Sequence, residues 1–216
     1  MTKEKLNVQI LRPFGPRILH VNMPKKYVNS LNKECDAIIS NKQRRKESDQ
    51  SSNLVGHVKE ELTCDLSNPK LKEFGSFLCD ATKCLYNEFL KERSSTNETR
   101  PEELDIHSSW FVRSFEGDYN PTHFHNDCSF SCVAYLKVPE GISTTNTRNV
   151  KEKYTTEGYI DFIYGSSGVV TAGNIGIMPI VGDIFIFPSY LFHTVYPFYG
   201  EGERRSFSAN MSLSIR

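Results

Sequence analysis

Ser206-Phe207-Ser208-Ala209-Asn210-Met211-Ser212-Leu213-Ser214-Ile215 alternates between small polar and apolar side chains along its whole length. A period of two is the signature of a β-strand, because successive side chains leave opposite faces of the pleat. One face is therefore apolar. On the other, serines stand where a solvent-facing strand would usually carry Lys and Glu, and such a face also suits the wet interior of a barrel that holds a ligand. Short β-rich segments precede this strand at 106–115, 129–138, 159–164, 175–180 and 184–187, separated by Gly, Pro and Asn. Regular short strands of this kind predict a sandwich or jelly-roll barrel.

The half before residue 104 reads differently. Pro13-Phe14-Gly15-Pro16 is a turn between the short apolar runs 8–11 and 18–21. After Pro24, Tyr27, Val28, Leu31, Cys35, Ile38 and Ile39 follow helical spacing. Ser67-Asn68-Pro69 reads as a helix start, with Leu71, Phe74, Leu78, Ala81 and Leu85 forming one stripe behind it. The polar stretch 41–53 between them is expected to be a frayed helix end or a loop, with a solvated basic cluster.

The chain has 216 residues and 38% hydrophobic composition, enough for one domain with a sizeable core. Residues 1–103 are expected to be helical support and 104–216 the β core. With 26 basic and 26 acidic residues, the chain lacks the positive field of a sequence-independent nucleic-acid binder. No window approaches 18 consecutive apolar residues, and no apolar run follows the first charges, so the expectation is a cytoplasmic protein without a membrane partner. Six cysteines without C-x2-C spacing are read as mostly free thiols.

The chemistry gathers in two segments. In Gly117-Asp118-Tyr119-Asn120-Pro121-Thr122-His123-Phe124-His125-Asn126-Asp127, His125 and Asp127 are two residues apart, which in extended backbone puts both on one face. In Gly182-Asp183-Ile184-Phe185-Ile186-Phe187-Pro188-Ser189-Tyr190-Leu191-Phe192-His193, an apolar strand and a proline turn lead to a histidine. Two histidines and one carboxylate form a facial triad, a ligand set that favours Fe(II) and O2 chemistry. Arg204 and Ser206 share a face of the last strand, where a guanidinium and a hydroxyl form a fork for a carboxylate.

Taken in order, His125-Asn126-Asp127, Ser131-Cys132-Val133-Ala134-Tyr135-Leu136, residues 182–193 and Arg204-Arg205-Ser206-Phe207-Ser208-Ala209-Asn210 resemble the Fe(II)/2-oxoglutarate-dependent dioxygenases, within them the prolyl-hydroxylase-like microbial and phage oxygenases. The resemblance spans about 90 residues of the chain. It implies a mainly β fold with α, a double-stranded β-helix of the jelly-roll or cupin-like type with the N-terminal helices packed outside. It further implies Fe(II) on His125, Asp127 and His193, and 2-oxoglutarate with its distal carboxylate on Arg204, Ser206 and Tyr135. O2 is then the oxidant, and a C–H bond in a peptide, protein or small molecule, with a prolyl residue the first candidate, is the target.

A second reading shares the barrel. Gly117 lies six residues before His123, so the first segment also fits G-x5-H-x-H of the cupins, which would place His123, His125 and His193 on the metal. The glutamate that a cupin expects beyond the H-x-H pair is absent, since Ser129 and Phe130 stand there. A third reading is a metal-free jelly-roll binding module. Loops 146–156 and 165–176 are candidates for a mobile lid over the substrate.

Overall fold

A computed structural model describes residues 15–52, 55–92, 103–142 and 156–214. Two antiparallel sheets form the body. The larger is built of β1 (Leu19–Asn22), β2 (Glu60–Thr63), β3 (Glu103–Ser114), β5 (Phe130–Lys137), β8 (Asp183–Pro188) and β10 (Arg204–Ser214), in the order β1-β8-β5-β10-β3-β2. The smaller is β4 (Asn120–His123), β9 (Phe192–Val195), β6 (Ile160–Ile163) and β7 (Asn174–Ile177), in that order. Both sheets are open, so the double-stranded β-helix is a sandwich with two edges on each sheet and not a closed barrel.

The alternation in β10 has a direct structural counterpart. Phe207, Ala209 and Met211 are fully buried under α1 (Lys25–Ser40) and α3 (Lys72–Glu92), in one core with Leu31, Cys35, Ile38, Phe74 and Leu78. Ser206 and Ser208 face the other way, into the space between the sheets. There a smaller core of Val133, Tyr135, Ile160, Phe162, Phe185, Phe187 and Leu191 binds one sheet to the other. Cross-strand partners share a face, so the register sorts residues into rows. Glu61, Val112, Ser206 and Tyr135 form one row on the inner face, and Glu60, Arg113, Arg205 and Lys137 the neighbouring row on the helix-covered face.

The second row depends on a bulge. Tyr135 and Lys137 would share a face in a regular strand, but Leu136 is an extra residue between their partners Ser206 and Arg205. The bulge turns Lys137 to the helix side, where its ammonium reaches Glu203 at 3.5 Å. Arg205, 1% exposed, donates through Nε and Nη2 to the two Glu203 oxygens at 2.8 and 3.0 Å and pairs with Asp36 of α1 at 2.8 Å. Arg113 also donates to Glu203, at 2.7 Å.

Several local expectations are corrected. The first half supplies two strands to the major sheet, β1 against β8 and β2 against β3. Residues 41–48 are a separate short helix, α2 (Lys42–Ser48), whose start is capped by the Asn41 side chain accepting from the Gln43 and Arg44 amides. Two of its basic residues are engaged: Arg44 donates to Glu34 at 2.7 Å, and Arg45 pairs with Glu60. The helix expected at Pro69 begins at Lys72, because Asn68 closes a turn through the Leu71 and Lys70 amides first. All six cysteines are free. The run 8–11 lies outside the described residues, as does nearly all of loop 146–156. No described helix is long and apolar enough to cross a membrane.

Candidate metal and cosubstrate site

Three imidazoles meet between the sheets. β4 and β9 pair with His123 directly opposite His193, and their ring centres are 4.2 Å apart. His125 lies 5.2 Å from His193 and 5.3 Å from His123. One nitrogen from each of the three lies within 4.8 Å of the others, a spacing that a single metal ion can bridge. The position of His125 is set by its backbone, whose amide donates to the Ser189 carbonyl at 2.9 Å. Ser189 in turn donates its hydroxyl to the Cys128 carbonyl at 2.6 Å, so the turn after β8 and the loop after β4 are tied together.

The charge state suits a metal. Burial pushes all three histidines down from the usual imidazole range, and the neighbouring imidazoles add to it for His125, which falls to about 4, and His193, which falls to about 3. They are neutral at physiological pH, as ligands must be. His193 Nδ1 is 2.9 Å from the Leu191 carbonyl, and His123 Nδ1 is 2.7 Å from that of Pro121. A carbonyl only accepts, so each Nδ1 carries the proton and each Nε2 keeps its lone pair.

Asp127 is outside this cluster. It is exposed and has φ +58°, the one described non-glycine residue with positive φ, so the chain leaves the extended conformation that would align it with His125. The same departure separates it from the face of Tyr135. His123, the alternative ligand in the sequence, occupies the third corner.

A cavity of about 120 Å³ joins the histidines to the β10 face, lined among others by Trp110, Val112, Asn120, Arg204, Ser206 and Ser208. At one end Arg204 is 2% exposed, and its Nε and Nη2 have no hydrogen-bond partner. Its guanidinium carbon lies 5.1 Å from the ring centre of Tyr135, whose fully buried hydroxyl also lacks a partner. Burial lowers the Arg204 pKa and raises that of Tyr135, while the proximity of the two works in the opposite direction for each. Buried donors are nearly always satisfied, and a buried cation without an anion is costly. Three orphaned donor atoms around one buried positive charge fit a carboxylate that enters the cavity, so the residues present suit 2-oxoglutarate.

Glu61 carries no signal in the sequence. It lines the same cavity from β2, is 2% exposed, and its Oε2 is without a partner. Burial, with a smaller contribution from Asp49, raises its pKa to about 7. The run Glu60-Glu61-Leu62-Thr63 has no alternation that would mark it as a strand. Trp110, which lines the cavity 6.0 Å from His125, is equally unmarked.

Comparison with known proteins agrees with this geometry. Residues 108–210 match the model of the 2OG-Fe(II) oxygenase family. The match, which covers just under half of the chain, is to oxygenases that use Fe(II), 2-oxoglutarate and O2, and the three-histidine cluster fits iron binding. Among solved structures, a prolyl-4-hydroxylase of Pseudomonas putida is 16% identical with a TM-score of 0.55, covering 91% of this chain and 92% of its own. The non-heme α-ketoglutarate-dependent epimerase SnoN of nogalamycin biosynthesis is 11% identical with a TM-score of 0.58, covering 90% of this chain and 76% of its own. A prolyl hydroxylase of Trichoplax adhaerens, in complex with a hypoxia inducible factor oxygen degradation domain peptide fragment, is 11% identical with a TM-score of 0.50, covering 90% and 83%. These three share the fold. A search of curated proteins gave no match.

Proposed function

We propose that the protein hydroxylates an unactivated C–H bond, in a peptide or protein residue, while 2-oxoglutarate is converted to succinate and CO2. The observation that carries this reading is the buried Arg204, whose unpartnered donors share a cavity with three neutral histidines, with the unpartnered hydroxyl of Tyr135 beside the guanidinium. Bound there, iron and 2-oxoglutarate supply the oxidative decarboxylation that activates O2.

The chain's own residues hold and orient the reactants. His123, His125 and His193 are the proposed metal ligands, in place of the set His125, Asp127 and His193. The carbonyls of Pro121 and Leu191 keep two of these rings with Nε2 unprotonated. Arg204 pairs with the distal carboxylate of 2-oxoglutarate, while the hydroxyls of Tyr135 and Ser206 donate to it. The apolar walls from Val133, Ile160, Phe187 and Val195 limit water around the metal. A peptide substrate is supported by the fold shared with prolyl hydroxylases, one of them solved with a peptide. The three-histidine cluster is equally the ligand set of a cupin, but the orphaned Arg204 favours the oxygenase.

The test is succinate formed from 2-oxoglutarate by purified protein with added Fe(II). Wild type should turn over 2-oxoglutarate only with the metal, and His193→Ala should abolish this while leaving the fold intact. Turnover that persists in the variant, or none in wild type, would overturn the reading.

A further inference from the structure

Adjacent glutamates on β2 have opposite fates. Glu60 turns to the helix-covered face and is paired with Arg113 and Arg45. Glu61 turns inward, where its row continues through Val112 and Ser206 to Tyr135. The cavity it lines also includes Val55 and Phe124, which are about half exposed, and Asn120. Arg204 and Glu61, both 2% exposed, line the same cavity with opposite charge types. The close approach of the Gly56 backbone leaves room for Oε1 and for the Asn120 amide, both 3.1 Å from where a Cβ on Gly56 would sit.

A buried carboxylate with an unpartnered oxygen is a cost to folding, and proteins carry such groups where a ligand uses them. Arg204 is the one Lys or Arg among the described residues lining the cavity, and the cosubstrate takes it in the reading above. No cation among the described residues then remains in the cavity to pair with Glu61, and a substrate cation is the partner that would hold it ionised. We propose that Glu61 is a specificity-determining residue that pairs with a cationic nitrogen of the substrate, the ammonium or guanidinium of a basic side chain at or next to the oxidised position. This rests on the oxygenase reading and narrows its substrate to basic residues.

Trp110 is the chain's only tryptophan and lines this cavity, so its fluorescence reports binding without turnover. The probes are N-acetyl-lysine methylamide and N-acetyl-arginine methylamide, against the uncharged N-acetyl-norleucine and N-acetyl-citrulline methylamides, with Mn(II) and 2-oxoglutarate present under anaerobic conditions. Wild type should bind at least one cationic probe about tenfold or more tighter than its uncharged counterpart. Glu61→Gln should lose that preference and keep its 2-oxoglutarate affinity, and Glu61→Asp should retain part of the preference. Thermal melting of Glu61→Gln should be unchanged or higher, because an unpartnered buried charge is removed. No preference in wild type, a preference that survives Glu61→Gln, or a lowered melting temperature in that variant would overturn the proposal. A separate titration of 2-oxoglutarate against Mn(II)-loaded wild type reports on the oxygenase reading alone, and its failure is distinguishable from failure of the cation assignment.

Discussion

The Arg204 guanidinium sits 5.1 Å from the centre of the Tyr135 ring, and the buried hydroxyl of that ring is without a partner. A phenol in a core normally keeps its O–H bonded. Here a ring packed with Phe185 in the inner core carries a polar tip beside the Arg204 guanidinium, placed to bind the same anion.

Tyr135→Phe separates the packing role of the ring from the ligand role of the hydroxyl. The ring is kept, so the melting temperature should be unchanged or slightly higher. The affinity for 2-oxoglutarate should fall about 10- to 100-fold, the value of a hydrogen bond to a charged group. Calorimetric titration of 2-oxoglutarate into Mn(II)-loaded variant and wild type measures both sides of this.

His123→Ala should remove most of the metal affinity, and Asp127→Ala should leave it within a few-fold of wild type. Asp127 is exposed on a left-handed turn, whereas His123 faces His193 across the β4–β9 pairing. Mn(II) titration followed by electron paramagnetic resonance orders the two variants, and the reverse order would restore Asp127 as the third ligand.

Glu203 gives the fold an acid limit. Burial works to raise its pKa, but its bonds to Arg205 and Arg113 prevail and hold it at about 2. A carboxyl depressed in the folded state contributes stability that is present above its unfolded value, near 4.5, and is lost as pH falls toward 2. The size is about 3 kcal/mol for this largely buried group. Denaturation followed from about pH 6 to about pH 2 should show wild type losing stability through that window, and Glu203→Gln, weaker at the upper end, should show a flatter profile.

How much of this is legible in the residues alone follows from the range over which each signal acts. The alternation in β10 is local and strong, so it suffices to place the serine face and the Arg204/Ser206 pair inside the sandwich. The helical stripes of α1 and α3 are legible for the same reason. Parity aligns Asp127 with His125 only while the backbone stays extended, and the positive φ that breaks it falls on Asp127 of the pair Asn126-Asp127, residue types that tolerate the left-handed region without requiring it. The same rule would put Lys137 on the face of Tyr135, and the bulge that turns it away depends on the partner strand. β2, β4 and β9 are four residues each and owe their existence to distant partners, His123 to His193 and Glu61 to Val112 among them. That non-local pairing is why Glu61, an acid that the cavity holds, leaves no mark in the sequence.

Arg204 and Arg205 are neighbours on opposite faces of one strand, and they provide the most direct test of the account. Arg204→Met removes the charge partner of the distal carboxylate and should raise the 2-oxoglutarate requirement by about 2 to 5 kcal/mol, roughly 30- to several-thousand-fold, with metal affinity nearly unchanged. Arg205→Met breaks the ion pairs to Glu203 and Asp36 under α1, so it should cost about 3 kcal/mol of stability and leave the 2-oxoglutarate requirement of the folded fraction near wild type. The measurement is a titration of 2-oxoglutarate against succinate formed, for wild type and both variants at a temperature where all are folded. A steep loss at Arg204 alone is the predicted result, and equal effects at the two positions, or none at either, would contradict the assignment of this cavity to 2-oxoglutarate.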